Sequence, residues 1–185
     1  MNPIKARVVI AESIALLENT GIRWWASSGT VLGLIRESLS DAWLTKDTDW
    51  DISVWGAIKE REFISEVFLA AGFSVHRAYD IDGSPVQMCL EKSGVWVDFY
   101  FWTDSEREPD LLICNCEHGQ MIKLKRFGEQ RWKHQQTGLW IPGPVREYLF
   151  WRYGCDWHIP KTSKGNWEME APHLRRGPAI ISTRK

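Results

Sequence analysis

The chain reads as an α/β (α+β) protein: one central mixed sheet flanked by helices, with a short helical region near its C-terminal end. Three observations predict this. Helical and strand periodicities alternate as far as residue 71. Three strand-like runs then follow one another between 73 and 101. A helical pattern returns near 144–154.

Taken in order, residues 4 to 19 are predicted helical, with Ile10, Ile14 and Leu17 at helical spacing and Val9 and Leu16 widening the face; Gly21 is the stop. Ile22 to Ala26 is a Trp-rich strand. Ser27, Ser28 and Gly29 punctuate the chain and open a short helix over Thr30 to Arg36. Leu39 to Thr48 is a loop, and Asp51 to Trp55 a strand with Ile52 and Val54 on one face. Lys59 to Ala71 is an amphipathic helix with Phe63, Val67 and Ala71 beside Ile64 and Phe68, capped by Gly72. Phe73 to Tyr79, Val86 to Leu90 and Val95 to Phe101 are strands, with turns at Asp82-Gly83 and Ser93-Gly94, the last two pairing as a hairpin. Pro109 to Gly119 shows no clear pattern. Met121 to Leu124 is a further strand, and Pro144 begins a helix that runs through Val145 to Tyr153.

A length of 185 residues suits one domain, drawn at 1–160 and followed by an irregular tail at 161–185. The hydrophobic fraction of 44% and charged fraction of 25% are those of a globular protein. A net charge of -1 provides no global basic field, which disfavours a long nucleic-acid partner. Charges at Lys5, Arg7, Glu12 and Glu18 break the first segment as a signal peptide, and no apolar run reaches membrane-spanning length. Cys89, Cys114, Cys116 and Cys155 are too sparse for a disulfide framework, so the expected location is cytoplasmic.

Chemistry concentrates in three places. In KDTDWDISV, Asp49 and Asp51 stand two residues apart, so on a strand both carboxylates share one side while Trp50, Ile52 and Val54 face the core. Two like charges side by side repel, and a divalent cation with oxygen ligands, Mg²⁺ or Mn²⁺, offsets them. Asp98 is the candidate third ligand: in GVWVDFYFW it shares parity with Trp96, Tyr100 and Trp102, opposite Val95, Val97, Phe99 and Phe101. Asp41 and Asp47 read as loop or supporting carboxylates. The Gly and Glu that an EF-hand loop requires are absent.

The second place is SSGTVLGLIRE. A small-residue turn opening a helix offers N–H groups and hydroxyls to a phosphate, here from Ser28, Gly29 and Thr30, with Arg36 within reach of the same anion. Against this stands an ordinary helix cap. The third is the basic strip Lys123, Lys125 and Arg126, where Lys123 and Lys125 share a strand face and suit a phosphate contact; the alternative is a solvated strand end. Cys114-x-Cys116-x-His118 is tighter than a zinc knuckle and reads as a turn. Trp132 and Trp140 suit base stacking or core packing.

Together these blocks resemble the polymerase-beta-type nucleotidyltransferase superfamily, and within it the LicD/fukutin family. Gly29-Thr30-Val31-Leu32-Gly33 with Arg36 resembles that family's first block, Asp47-Thr48-Asp49-Trp50-Asp51-Ile52 its Asp-rich block, and Val97-Asp98-Phe99 its later carboxylate strand. Ile141-Pro142, Tyr148-Leu149, Tyr153-Gly154 and Asp156-Trp157 resemble its C-terminal signature, with Cys155 inserted. The resemblance implies a nucleotidyltransferase-like sheet and Mg²⁺ (or Mn²⁺) on Asp49, Asp51 and Asp98, with Asp98 able to take the acceptor's proton. It implies a phosphate cradle at Ser28, Gly29, Thr30 and Arg36. The implied reaction moves a phosphocholine- or polyol-phosphate-like group from a CDP-linked donor to a hydroxyl acceptor, such as a glycan, releasing CMP. Two alternatives stay open: NMP transfer from an NTP to a small molecule, protein or RNA, releasing pyrophosphate, and an inactive member that serves as a binding module.

Overall fold

The computed structural model describes residues 3–36, 49–81, 84–115, 120–160 and 175–178. Its elements are α1 (Pro3–Thr20), β1 (Trp24–Ala26), α2 (Ser28–Arg36), β2 (Asp49–Trp55), α3 (Ile58–Ala70), β3 (Ser74–Ile81), β4 (Ser84–Lys92), β5 (Val95–Asp104), β6 (Leu111–Asn115) and β7 (Gln120–Lys125). A 3₁₀ turn at Phe127–Glu129 follows, then β8 (Arg131–Lys133), β9 (Trp140–Pro142), α4 (Val145–Tyr153) and β10 (Arg175–Pro178). The mixed sheet flanked by helices is the expected fold class. The loop expected at Leu39 to Thr48, with Asp41 and Asp47, lies outside the described residues, as do Cys116 and His118.

The sheet runs β1-β2-β5-β6-β7-β10, with the β3–β4 hairpin attached through β4 to β5. Only β2 and β5 pair in parallel; every other described pairing is antiparallel. The parallel pair is possible because α3 and the β3–β4 hairpin intervene and carry the chain back to the start of the sheet. β5 therefore pairs on one side with β4, as the hairpin pattern predicts, and on the other with β2.

Alternation sorts the two central strands. Trp50, Ile52 and Val54 of β2 and Val97, Phe99 and Phe101 of β5 are all buried on one face. α1 and α3 cover it, and Phe68 of α3 meets Phe99 edge-on at 5.3 Å and Phe73 at 4.8 Å. α3 buries Ile64 and Phe68 fully, with Val67 and Ala71 partly buried against the same core; Phe63, expected on the inner stripe, is exposed. Lys92 ties this layer together, donating to Glu12 of α1 and to the Ala71 carbonyl beyond α3, both at 2.6 Å.

Three differences from the sequence expectations have physical causes. The unpatterned stretch at 109–119 contains β6, whose consecutive Leu111 and Leu112 are both buried, so both its faces are covered and period-two alternation is lost. Arg175–Pro178, within the stretch expected to be an irregular tail, pairs with β7 through Lys123, Ile122, Met121 and Gln120, completing that strand's hydrogen bonding. α2 begins at Ser28 rather than Thr30, since its first turn is held by side chains from β2 and α4.

The 3₁₀ turn packs tightly on β1. A β-carbon at Gly128 would stand 2.7 Å from the ring of Trp25, a residue with no exposed surface. Gly128→Ala is therefore expected to cost about 1–3 kcal/mol through overpacking against a ring that cannot move. Urea unfolding of the variant beside the parent measures it; an unchanged midpoint would show that this turn is loosely packed.

Candidate functional site

The other face of the sheet carries the polar chemistry, and the strand registers bring it together. Asp51 of β2 lies opposite Asp98 of β5, Asp98 opposite Cys89 of β4, and Cys89 opposite Arg77 of β3. One row across four strands thus reads Arg77, Cys89, Asp98, Asp51. The adjacent row reads Tyr79, Gln87, Tyr100, Ser53 and Trp25. Neighbouring strands stand about 4.8 Å apart, so Arg77 is about 10 Å from Asp98 at the backbone. Its side chain reaches that far because the residue between them is a small cysteine.

Asp98 is 1% exposed. Its Oδ2 accepts from Arg77 Nη2 at 2.7 Å and from Gln87 Nε2 at 3.2 Å, while its Oδ1 is buried without a hydrogen-bond partner. Burial pushes the Asp98 carboxyl above its usual range; Cys89 and Arg77 pull it down, and Asp49 pushes it up. The Cys89 thiol is raised by burial and by the carboxylate it faces. The Tyr100 phenol, which accepts from Gln87 Nε2 at 3.3 Å, is raised by burial and then by Asp51, Asp98 and Asp49.

Asp51 is bound differently. Its Oδ2 accepts from the Gly29 N–H at 2.9 Å, and its own backbone N–H donates to Thr30 Oγ1, also at 2.9 Å. Ser27 N–H donates to the Asp51 carbonyl at 2.9 Å. The helix start is thereby clamped to β2 at one residue, and the negative carboxylate sits at the positive end of α2. Asp49, at the start of β2, is partly exposed on the same face.

Ser28 N–H donates to the phenol oxygen of Tyr148 at 2.8 Å, so α4 closes the turn from above. Ser28 holds φ at +43°, the left-handed region that a β-carbon disfavours by about 1–3 kcal/mol. The Tyr148 hydroxyl is fully enclosed, and burial pushes it up to about 12. In Tyr148→Phe the Ser28 N–H loses its acceptor, with an expected cost of about 1–3 kcal/mol. Hydrogen exchange at Ser28 and Gly29 checks this: protection should fall there while the β2 and β5 amides keep theirs.

The candidates read from sequence therefore separate. Asp49, Asp51 and Asp98 share one face, with Asp51 and Asp98 side by side. They do not converge as a ready-made ligand cluster: among the described residues no group of three acidic, His or Cys side chains is placed to hold a metal ion. The reason is visible, since Asp98 is drawn towards Arg77 and Asp51 towards Gly29. Ser28, Gly29 and Thr30 stand beside the carboxylates, with the Ser28 and Gly29 N–H groups and the Thr30 hydroxyl bonded within the protein. Arg36 closes α2 as its last residue.

Lys123 and Lys125 lie elsewhere. Lys123 is level with Ile113 and so with Thr103, five residues past Asp98 on β5, roughly 16 Å along the strand. It pairs with Glu108, and Lys125 stands 4.8 Å from the Trp151 ring centroid, in a cavity of about 800 Å³ also lined by Arg126 and Phe127. β6 meets β5 at Thr103 and Asp104, past the Asp98 row, and this separates the β7 lysines from the acidic row.

Arg77, Gln87, Tyr100 and Tyr148 are the site residues that sequence reasoning missed. Tyr148 carried a signal, lying in the EYLFWRYGCDW run that the resemblance singled out. Arg77 carried none, because only the registers of two successive strand pairs bring it to Asp98.

No family model and no curated protein sequence matches this chain. Among solved structures, it is similar to the crystal structure of ANT(2″)-Ia in complex with adenylyl-2″-tobramycin, at 14% identity over 55% of this chain and 52% of that one, with a TM-score of 0.41. It is also similar to the solution structure of the antibiotic-resistance factor ANT(2″)-Ia, at 15% identity over 56% of this chain and 51% of that one, with the same TM-score of 0.41. The likeness thus spans about half the length of each chain.

Proposed function

We propose that this chain is a divalent-metal-dependent transferase that moves a phosphorus-bearing group from a nucleotide donor to a hydroxyl acceptor. The observation that supports it is the parallel β2–β5 register, which sets Asp51 beside Asp98 with Asp49 on the same face, next to the start of α2. Carboxylates placed together in a nearly dry site call for a cation. The residues suit Mg²⁺ or Mn²⁺: all three offer hard oxygens, and Asp98 Oδ1 is a buried carboxylate oxygen with no partner. When bound, the metal would neutralise donor phosphate charge.

The remaining roles belong to the chain itself. Arg77 and Gln87 hold one Asp98 oxygen and fix the carboxylate's orientation, leaving the other to the metal and to the acceptor's proton. Gly29 and Thr30 hold Asp51 against α2. Arg36 would contact the donor phosphate in this reading, because the Ser28 and Gly29 N–H groups already serve Tyr148 and Asp51. The acceptor oxygen bonds to phosphorus, its proton passes to Asp98, and the bond from that phosphorus to the leaving phosphate breaks.

Two donor classes share these residues. In nucleotidyl transfer the α-phosphorus of an NTP is attacked and pyrophosphate leaves. The second class, implied by the resemblance of the blocks at Gly29 to Arg36 and Tyr153 to Trp157, is a CDP-linked alcohol that releases CMP with a glycan-type acceptor; no matching family model stands behind it. A cytoplasmic setting suits either; Cys89, Cys114 and Cys155 are free thiols, and among the described residues no helix is long and apolar enough to cross a membrane.

The test is a donor screen. The chain is incubated with the four NTPs and with CDP-choline and CDP-ribitol, with Mg²⁺ or Mn²⁺ and mixed hydroxyl acceptors, and pyrophosphate and CMP are quantified. Metal-dependent release of either supports the transferase and names its donor. Release of neither, together with nucleotide binding that Mg²⁺ leaves unchanged, would point to the binding-module alternative.

A further inference from the structure

A second polar surface lies at the opposite end of β2 from Asp49. The Trp55 N–H donates to the Arg23 carbonyl at 2.9 Å, so Arg23 marks that end, six residues and roughly 20 Å from Asp49. The Arg23 guanidinium stands 5.4 Å from the Trp55 ring centroid. Beside it opens a cavity of about 570 Å³, lined by Arg23, Gln130, Arg131, Trp132 and Trp140.

The charges there do not balance. Arg131 donates from Nη1 to the Trp24 carbonyl at 2.6 Å and lies 4.5 Å from the Trp140 ring centroid. The carboxylates nearby serve other cations. Glu129, on the cavity wall, pairs with Arg126 at 2.9 Å. Glu18 pairs with Lys133 at 3.1 Å and accepts from Trp140 Nε1 at 2.6 Å. Among the described residues neither Arg23 nor Arg131 has a carboxylate in salt-bridge contact. Burial, and then repulsion from Arg23, pull Arg131 below the usual guanidinium range, with Glu18 pulling the other way. Arg131 is partly buried without a salt-bridging carboxylate and exposed Arg23 stands on the same cavity wall, so an oxyanion between them would meet both, and the planar fork of Arg matches phosphate in two-point contact. Trp132 is 41% exposed at the same cavity and presents an aromatic face to a ring carried on that anion.

We infer that this cavity is a second ligand site, which takes a phosphate-type oxyanion between Arg23 and Arg131. The anion's source is either a phosphodiester chain, whose rings reach Trp132, or a free polyphosphate. The site stands apart from the acidic row and does not depend on the reaction assigned to it.

Binding is measured on the full chain in EDTA, so that no divalent metal bridges a ligand to the carboxylates. The probes are a fluorescently labelled oligo(dT) eight-mer, followed by anisotropy, and inorganic tripolyphosphate, followed by calorimetry, each at several salt concentrations. Arg23→Gln is expected to weaken binding about 10-fold and to reduce the salt slope by about one for the oligonucleotide. Arg131→Gln should act in the same direction, with folding checked by circular dichroism; exposed Arg23 decides the matter if that variant unfolds. Binding of the eight-mer alone, weakened by Trp132→Ala, identifies a phosphodiester chain as the source. Equal response of both probes to Arg23→Gln, with no effect of Trp132→Ala, identifies free polyphosphate. Failure of both probes to bind at low salt, or binding that Arg23→Gln leaves unchanged, overturns the site.

Discussion

Asp98→Asn is expected to reduce metal-dependent turnover on the order of 10³-fold, about 4 kcal/mol of transition-state stabilisation, while the protein stays folded. Asparagine keeps the shape of the side chain and one oxygen, so packing against Cys89 is retained. What disappears is the charge that would hold the cation and the group that would accept the acceptor's proton. Folding should tolerate the change, because burial already works against the ionised carboxyl and Arg77, one-third exposed, can turn back to water. The measurement is turnover with the donor found by the screen, alongside a thermal melt. A variant that melts like the parent and keeps activity within 10-fold would remove Asp98 from the chemistry.

Arg77→Met is expected to show the opposite pattern in stability. Methionine keeps much of the aliphatic stem but leaves a buried carboxylate with the Gln87 amide and the weak Cys89 thiol as its remaining partners. Removing one partner of a buried ion pair costs about 3–5 kcal/mol, a large share of a domain's total stability. The double variant Arg77→Met with Asp98→Asn should be much less destabilised than the single Arg77→Met, because no charge remains to be compensated. Urea unfolding of the four proteins gives the coupling directly. Additive costs would mean that Arg77 and Asp98 do not depend on each other in solution. Cys89 belongs to the same reasoning, since a larger residue there would lie under the path of the Arg77 side chain.

Much of this was legible in the chain itself. The alternation of Trp50, Ile52 and Val54 against Asp49 and Asp51 determined which face of β2 is wet, and the parity of β5 did the same for Asp98. Period two is robust here because shifting by one residue would bury two carboxylates and expose three large apolar side chains. α4 was equally plain from Val145 to Tyr153: Tyr148, Leu149 and Tyr153 form its buried stripe, and Gly154, with φ of +95°, ends it where a β-carbon would be strained. β6 was not legible, because a short strand buried on both faces has no alternation to read. The distance of Lys123 and Lys125 from the acidic row was not legible for a related reason: strand parity reports the face of a residue and not its place along the sheet.

The sequence alone determined that Asp49, Asp51 and Asp98 face one way, that a small-residue turn precedes them, and that helices cover the opposite face, since these follow from local periodicity. Tertiary structure decided what each of these groups touches. It joined β2 to β5 in parallel at Asp51 and Asp98, laid Arg77 across Cys89 onto the Asp98 carboxylate, and brought the Tyr148 hydroxyl from 120 residues away to the Ser28 N–H. Those contacts depend on strand register and on long-range closure, where each choice is made by the whole buried surface rather than by any local run of residues.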